Sequence, residues 1–112
     1  MDMVKIRRFD ICLVNLDPTI GSKMKNTRPV LIISPDSMNL SRLKTIIVAP
    51  MTSTVRDDFP TRVILNFNNK TGQIALDQIR SIDRARIIKV LGHVDTDVEA
   101  NVLNLLSVMF QR

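Results

Sequence analysis

The sequence predicts a mainly β domain, a small barrel or strongly curved sheet followed by one C-terminal helix. Three observations lead to this fold class. The 112 residues fit a single domain over residues 1–112. Short β-like runs, separated by turn residues, follow one another as far as residue 91. From residue 95 onward the apolar residues change to helical spacing. A closed or curled sheet is expected because it removes exposed strand edges.

The predicted strands are short and closely spaced. Residues 11–16 form the first, which ends at Asp17-Pro18. Residues 29–34 are an unbroken apolar run, which predicts a strand buried on both faces. Residues 45–49 form a third strand, ended by Pro50. The other predicted elements are a helical turn at 38–43, a strand at 61–66, a turn at 68–72 and strands at 73–79 and 86–91.

The C-terminal segment predicts a helix over residues 97–110. Thr96 and Glu99 have the spacing of a capping box, with Thr96 as the N-cap residue. An apolar stripe at helical spacing is expected to pack on the sheet; its members are Val98, Val102, Leu105, Leu106 and Met109. Leu103 and Phe110 widen this stripe, so part of it is expected to reach a second subunit.

Composition excludes several classes of protein. No apolar run approaches the roughly 18–20 residues of a membrane span, and the charged N-terminus lacks a signal-peptide apolar stretch, which predicts a cytoplasmic protein. With one cysteine, Cys12, and one histidine, His93, neither a disulfide framework nor a usual zinc site is expected, and no metal or cofactor is predicted. We expect both side chains to be structural. Aromatic residues make up 4%, which argues against a base-stacking platform.

The charge is unevenly distributed. The formal net charge is +5, but residues 5–94 hold fifteen basic and seven acidic residues, whereas residues 95–112 hold one basic and three acidic residues. A basic body predicts an anionic partner, either a nucleic acid or an acidic protein. The alternative is that the surplus of Lys and Arg serves only solubility.

The segment DPTIGSKMKNTRP, residues 17–29, is the main candidate for chemistry. It is long for a connection between two strands, and such loops concentrate function. Its cations and hydroxyl or amide groups could hold a phosphodiester backbone. Arg28 precedes the buried strand directly, so its backbone should be fixed and its guanidinium could pair with phosphate. The alternative is an unstructured basic loop.

Two further segments carry polar groups. Thr52 and Ser53 follow the third strand, where their hydroxyls could donate to phosphoryl oxygens or simply cap a turn. Asp77 lies inside a predicted apolar strand and needs a partner if buried, for which Arg80 is one candidate in a structural ion pair. No catalytic His–Cys or His–Ser pair is evident. RNA cleavage remains possible, because there the substrate 2′-OH is the nucleophile and the enzyme only positions it and stabilises charge.

These residues also carry a family resemblance. Arg8-x-Asp10-Ile11, the stretch LDPTxGS at 16–22 and Thr27-Arg28-Pro29-Val30 resemble the opening of MazF/PemK (Kid)-type toxins of bacterial toxin–antitoxin systems. The resemblance continues through VAPMTS at 48–53 and LDQIRSID at 76–83, in order and over nearly the whole chain.

The resemblance implies a compact SH3-like β-barrel with a C-terminal α-helix, a homodimer, and an acidic cognate antitoxin. It implies metal-independent, sequence-specific cleavage of single-stranded RNA that leaves 2′,3′-cyclic phosphate and 5′-hydroxyl ends. Arg28 aligns with the family's catalytic arginine, as proton donor and charge stabiliser, and Thr52 with its catalytic threonine, which binds the scissile phosphate. The expected RNA-binding residues are Ser22, Lys23, Lys25, Asn26, Thr27, Ser53, Asp77 and Gln78.

The chain departs from the family pattern at four places. Asp77 matches an acidic position proposed as catalytic in the Kid branch, but Ala75 and Ser22 replace that branch's arginine and histidine, which weakens an acid–base role. Phe9 replaces a common glycine and Lys23 a common glutamate. Two alternatives stay open: a gyrase-poisoning protein of the CcdB type, which shares the fold and would not need Arg28 and Thr52, and a non-catalytic SH3-like binding module.

Overall fold

The computed structural model describes residues 4–17 and 26–112 and confirms the mainly β prediction. Seven antiparallel strands form a curled sheet with the order β4-β5-β3-β2-β1-β7, and β6 lies beside β3. The strands are β1 Asp10–Asn15, β2 Thr27–Ile32, β3 Thr45–Thr52, β4 Arg62–Phe67, β5 Lys70–Ala75, β6 Arg80–Asp83 and β7 Ile87–His93. The helices are α1 Asp36–Asn39 and α2 Thr96–Met109, with 3-10 turns at Leu76–Gln78 and Arg84–Arg86.

Apolar side chains cover both faces of the sheet. Along β2 and the residue after it, Val30 and Ile32 join one buried cluster while Leu31 and Ile33 join another, which confirms the strand predicted to be buried on both faces. Helix α2 packs against the cluster that contains Leu31 and Ile33. All five residues of its predicted apolar stripe take part: Val98, Val102, Leu105, Leu106 and Met109. Leu103 and Phe110 stay exposed, at 41% and 72%.

The third strand does not end at Pro50, which corrects the prediction. β3 continues to Thr52, and Pro50 pairs in register with Val30 of β2. On its other edge β3 changes partner here, from β6, which pairs as far as Val48, to β5, which pairs from Met51. A residue without an N–H is tolerated at such an interruption, because no ladder hydrogen bond is lost there. The extension brings Thr52 to the end of a rigid strand.

The turn predicted at 68–72 is shorter in the structure. Asn68 and Asn69 both have positive φ angles, of 52° and 61°, and join β4 to β5 as a two-residue hairpin. Lys70, Thr71 and Gly72 therefore belong to β5. The strand predicted at 73–79 is also wrong at its end, because residues 76–78 form a 3-10 turn that separates β5 from β6.

The N-cap of α2 is Asp95, and not Thr96 as predicted. The Asp95 carboxylate accepts a hydrogen bond from the Val98 backbone N–H at 2.9 Å. Glu99 lies 3.6 Å from Nε2 of His93 instead of reaching back to the cap. The predicted helix limits agree with the structure to within one residue at each end.

Phe9 adopts a left-handed backbone conformation, with φ at 72°. A side chain costs energy at positive φ, so the glycine that the family resemblance implies here would adopt this conformation with less strain. Here the Phe9 ring is buried in the core, its N–H donates to Ile32 O at 2.8 Å, and its carbonyl accepts from Val94 N at 3.2 Å. Burial and these two hydrogen bonds hold the strained residue in place.

Candidate active site

A polar cleft of about 390 Å³ opens at the C-terminal end of β3. Arg28 of β2 and Thr52 of β3 both line it, so the structure brings the two predicted catalytic residues to one cavity. Gln78 of the 3-10 turn lines it as well. Three lining residues are arginines and none of the described ones is acidic, which makes the cleft suited to an anion.

Arg28 projects from a fixed backbone. β2 begins at Thr27, and Arg28 pairs with Val14 of β1. The side chain is exposed and, within the described residues, makes no hydrogen bond or ion pair. Its guanidinium is therefore available to a ligand. Asn26 and Thr27 precede it as exposed residues, and the Asn26 carbonyl accepts from the Leu16 N–H at 2.8 Å.

Thr52 combines turn capping with a free donor. Its Oγ1 accepts a hydrogen bond from the Thr54 backbone N–H at 3.1 Å, the local role expected of a hydroxyl at a strand end. A hydroxyl that accepts one hydrogen bond keeps its own O–H to donate. Thr52 is half-buried, and its pairing with Gln73 of β5 fixes its position. The structural and functional interpretations of this hydroxyl are therefore compatible.

The other predicted RNA-binding residues divide into groups. Ser53 is exposed and does not line the cationic cleft, but it lines a second, apolar slot that also includes Thr52. Ser22, Lys23 and Lys25 lie outside the described residues. The prediction that they contact RNA stays a prediction.

Sequence analysis missed three residues that line the cleft: Arg56, Phe59 and Arg62. The Arg62 guanidinium carbon lies 4.9 Å from the Phe59 ring centre, and that of Arg56 lies 5.9 Å from it, both within cation–π range. Phe59 is 40% exposed and presents an aromatic surface in the cleft. The composition argued against a base-stacking platform, yet one ring stands where a base could meet it.

The segment that carries Arg56 and Phe59 is pinned by a buried glutamine. Gln73 is 2% exposed, and its Oε1 accepts from the Arg56 N–H at 2.9 Å while its Nε2 donates to the Arg56 carbonyl at 3.3 Å. Buried amides need such partners. Gln73 directly precedes the apolar residues 74–76, and this position was the sequence signal that could have pointed to a buried anchor.

Asp77 pairs with Arg62, and not with Arg80. It lies on a 3-10 turn instead of inside a strand, and it accepts hydrogen bonds from Arg62 Nε at 2.9 Å and Thr61 Oγ1 at 3.0 Å. Partial burial opposes its ionisation, but the hydrogen bonds from Arg62 and Thr61 prevail and lower the pKa of Asp77. A carboxylate that stays ionised has no proton to donate near neutral pH. Arg62, whose side chain is 8% exposed, is held by it beside the cleft.

The remaining reactive side chains are structural. Cys12 is fully buried, and burial followed by the nearby Asp10 charge raises the pKa of its thiol to about 12, so it is not a nucleophile. His93 Nδ1 lies 2.8 Å from the buried Asp10 carboxylate. Both confirm the sequence-based expectation. Across residues 4–17 and 26–112, no three His, Cys, Asp or Glu side chains come together as metal ligands. Neither helix there has the length and apolar character that a bilayer crossing requires.

The chain is similar to known proteins over most of its length. Residues 7–110 match the family described as PemK-like, MazF-like toxin of type II toxin-antitoxin system. Endoribonuclease MazF9 of Mycobacterium tuberculosis is 33% identical over 80% of this chain and 82% of its own length. Endoribonuclease EndoA of Bacillus subtilis is 28% identical over 92% of each chain.

Solved structures of similar fold include toxins alone and with antitoxin. MazF of Deinococcus radiodurans superposes with a TM-score of 0.74 at 27% identity, over 96% of this chain and 97% of that one. A MazE–MazF complex of the same organism gives a TM-score of 0.76 at 26% identity, over 94% and 95% of the two chains.

Proposed function

This chain belongs to the family of PemK-like and MazF-like toxins of type II toxin–antitoxin systems, and we propose that it is a metal-independent endoribonuclease that cuts single-stranded RNA at short sequences. Its relatives of 33% and 28% identity are named endoribonucleases. The family match over residues 7–110 supports one toxin domain, and it favours RNA cleavage over the gyrase-poisoning and binding-module alternatives. Because cellular RNA is the substrate, the toxin acts in the cytoplasm.

One observation carries the proposal. Arg28, which has no hydrogen bond or ion pair with the described residues, and Thr52, which keeps an O–H to donate, line the same cationic cleft. A phosphodiester between them would receive hydrogen bonds from both, and the transition state gains most because charge accumulates on its non-bridging oxygens. Neither group needs a metal ion for this task.

The reaction follows from these two side chains. The substrate 2′-oxygen loses its proton to solvent and attacks the adjacent phosphorus, and the bond from phosphorus to the 5′-oxygen breaks. The products are a 2′,3′-cyclic phosphate and a 5′-hydroxyl. Thr52 binds and polarises the scissile phosphate. Arg28 stabilises the charge and gives a proton to the departing 5′-oxygen, which water then restores.

The other cleft residues bind and position the RNA. Arg56 and Arg62 attract the phosphates that flank the cut, and the Gln78 side-chain amide can form hydrogen bonds with the RNA. Asn26 and Thr27 directly precede Arg28, and we assign them, with Ser22, Lys23 and Lys25, to contacts with the RNA backbone. Asp77 acts as a positioning residue through Arg62, and not as the acid or base of the reaction.

The toxin forms a homodimer and is restrained by an acidic antitoxin. MazE–MazF complexes are among the structures of similar fold. The surplus of basic residues in the body of this chain supports electrostatic steering of an acidic segment into the RNA cleft. The gene beside this one should encode a small protein with such a segment. RNA and antitoxin should each slow the binding of the other.

The test is incubation of the purified protein with a mixed RNA pool in excess EDTA, followed by mapping of the new ends. We expect cleavage at a short recurring sequence, and we expect the acidic neighbour protein to stop it. Intact RNA from a folded dimer, together with binding to gyrase, would instead identify a protein-binding toxin. Simultaneous binding of RNA and antitoxin without mutual penalty would contradict the shared cleft.

A further inference from the structure

The apolar slot beside Thr52 is a second cavity, of about 130 Å³, that the proposed chemistry leaves unused. It adjoins the cationic cleft at the end of β3, where Met51 and Thr52 line both cavities. Its walls are Pro29 of β2 and Leu65 and Phe67 of β4. A phosphate-binding cleft and an apolar slot therefore share one wall.

The slot is built directly against Thr52. A Cβ atom at Gly72 would lie 2.7 Å from the Thr52 backbone oxygen, so only glycine lets β5 approach this closely. The Asn68-Asn69 hairpin then sets Lys70 and Thr71 at the rim. Whatever occupies the slot is therefore held next to the proposed phosphate-binding hydroxyl.

Polar groups at the rim offer mostly donors. Lys70 and Ser53 are exposed and, within the described residues, have no side-chain partner. The Thr71 hydroxyl already donates to Asn66 Oδ1 at 2.7 Å, so only its oxygen lone pairs remain. An apolar slot with donors at its edge matches a flat ring whose edge carries acceptors.

We propose that this slot binds the nucleobase next to the cleaved bond and selects a base with a carbonyl oxygen at the edge that faces Lys70 and Ser53. The inference rests on the proposed RNA cleavage at Arg28 and Thr52. Single-stranded RNA is read by bases that are splayed out, buried against apolar or aromatic side chains and hydrogen-bonded at their edges. Lysine donates to carbonyl oxygens of bases, which adenine lacks. The enzyme therefore discriminates against adenine at one position flanking the cut.

The experiment is end sequencing of a randomised RNA pool cut by wild type and by Lys70→Met and Ser53→Ala. Lys89→Met and Ser81→Ala are matched controls, because both residues are exposed strand residues outside the two cavities. Wild type should reject adenine at one flanking position. Each slot variant should lose about two- to tenfold of this discrimination, the range of one hydrogen bond, because kcat/KM falls at the preferred base and changes little at adenine. The controls should match wild type.

A second measurement locates the base directly. The RNA carries a 2′-deoxynucleotide at the cut, which removes the nucleophile, and a photoreactive analogue of the flanking base. Crosslinks should map to residues 65–72, which line the slot and not the cationic cleft. Equal use of adenine at both flanking positions, or crosslinks confined to residues 54–62 in the cationic cleft, would overturn the slot assignment. Absence of any cleavage by wild type would instead contradict the proposed function on which it rests.

Discussion

Replacing Arg28 with alanine removes the guanidinium from the cleft with little effect on the fold. The side chain is exposed and makes no hydrogen bond or ion pair with described residues. The backbone of residue 28 stays paired with Val14, and alanine keeps the same N–H and C=O. Substitutions at such surface positions change stability by at most about 0.5 kcal/mol. Arg28→Ala should therefore melt close to wild type.

The catalytic loss should be far larger than this structural effect. Removing one donor to a developing oxyanion costs about 10²–10³ in rate, or about 2.7–4 kcal/mol. Loss of proton transfer to the departing 5′-oxygen adds to that, because general acid catalysis contributes about 10²–10⁴. We expect at least a ~10³-fold fall in kcat/KM. Arg28→Lys should fall less, since it keeps the charge but loses the planar fork of donors.

The assay is single-turnover cleavage of a short RNA containing the preferred site, with thermal unfolding measured in parallel. Arg42→Ala is the control, because Arg42 is also an exposed arginine but lies outside the cleft. It should cut like wild type. Cleavage within tenfold of wild type by a folded Arg28→Ala protein would refute the assignment of Arg28 to the reaction.

Three further results are expected. Thr52→Val should reduce turnover more than RNA affinity, while Thr52→Ser should retain most activity, as measured by single-turnover kinetics and filter binding; normal cutting with poor binding would invert the role. RNA affinity should fall with salt at a log–log slope of about −2 or steeper, since each phosphate contact adds roughly 0.7, and a flat response would exclude the arginines as phosphate contacts. The pKa of Asp77 is lower in the folded protein than in the unfolded chain, where it is about 3.9. The ionised carboxylate therefore stabilises the fold fully above about pH 3.9. That contribution should disappear as the pH falls through the lowered value. The Asp77→Asn variant should not show this loss of stability when it is unfolded in acid. Its pH–rate profile between pH 5 and 9 should have the same shape as that of wild type.

Local pattern was sufficient for most of the fold. Helical spacing identified all five residues of α2 that pack on the sheet, because one helix face needs only local periodicity. Pro50 could not be placed correctly, because its tolerance inside β3 depends on the change of partner from β6 to β5. The choice of Asp95 over Thr96 as N-cap depends on where the chain leaves β7, which the capping-box spacing does not encode.

The site was predictable only in part. Their positions next to predicted strands made Arg28 and Thr52 candidates for phosphate contact, the motif resemblance implied their catalytic roles, and the structure brings both to one cleft. Arg56, Phe59 and Arg62 carry no local motif, and they reach that cleft through pairing across β3, β4 and β5. The partner of Asp77 lies fifteen residues away in sequence. Proximity along the chain pointed to Arg80, whereas the β4–β5 hairpin brings Arg62 to the carboxylate.

The central claim is that the substrate's own 2′-OH is the nucleophile at Arg28 and Thr52. The most direct measurement compares an RNA containing the preferred site with the same RNA carrying one 2′-deoxynucleotide at the cut, both in excess EDTA. The account predicts that the first yields 2′,3′-cyclic phosphate and 5′-hydroxyl ends and that the second stays intact. Cleavage of the 2′-deoxy substrate, or 5′-phosphate ends formed only when magnesium is restored, would contradict it.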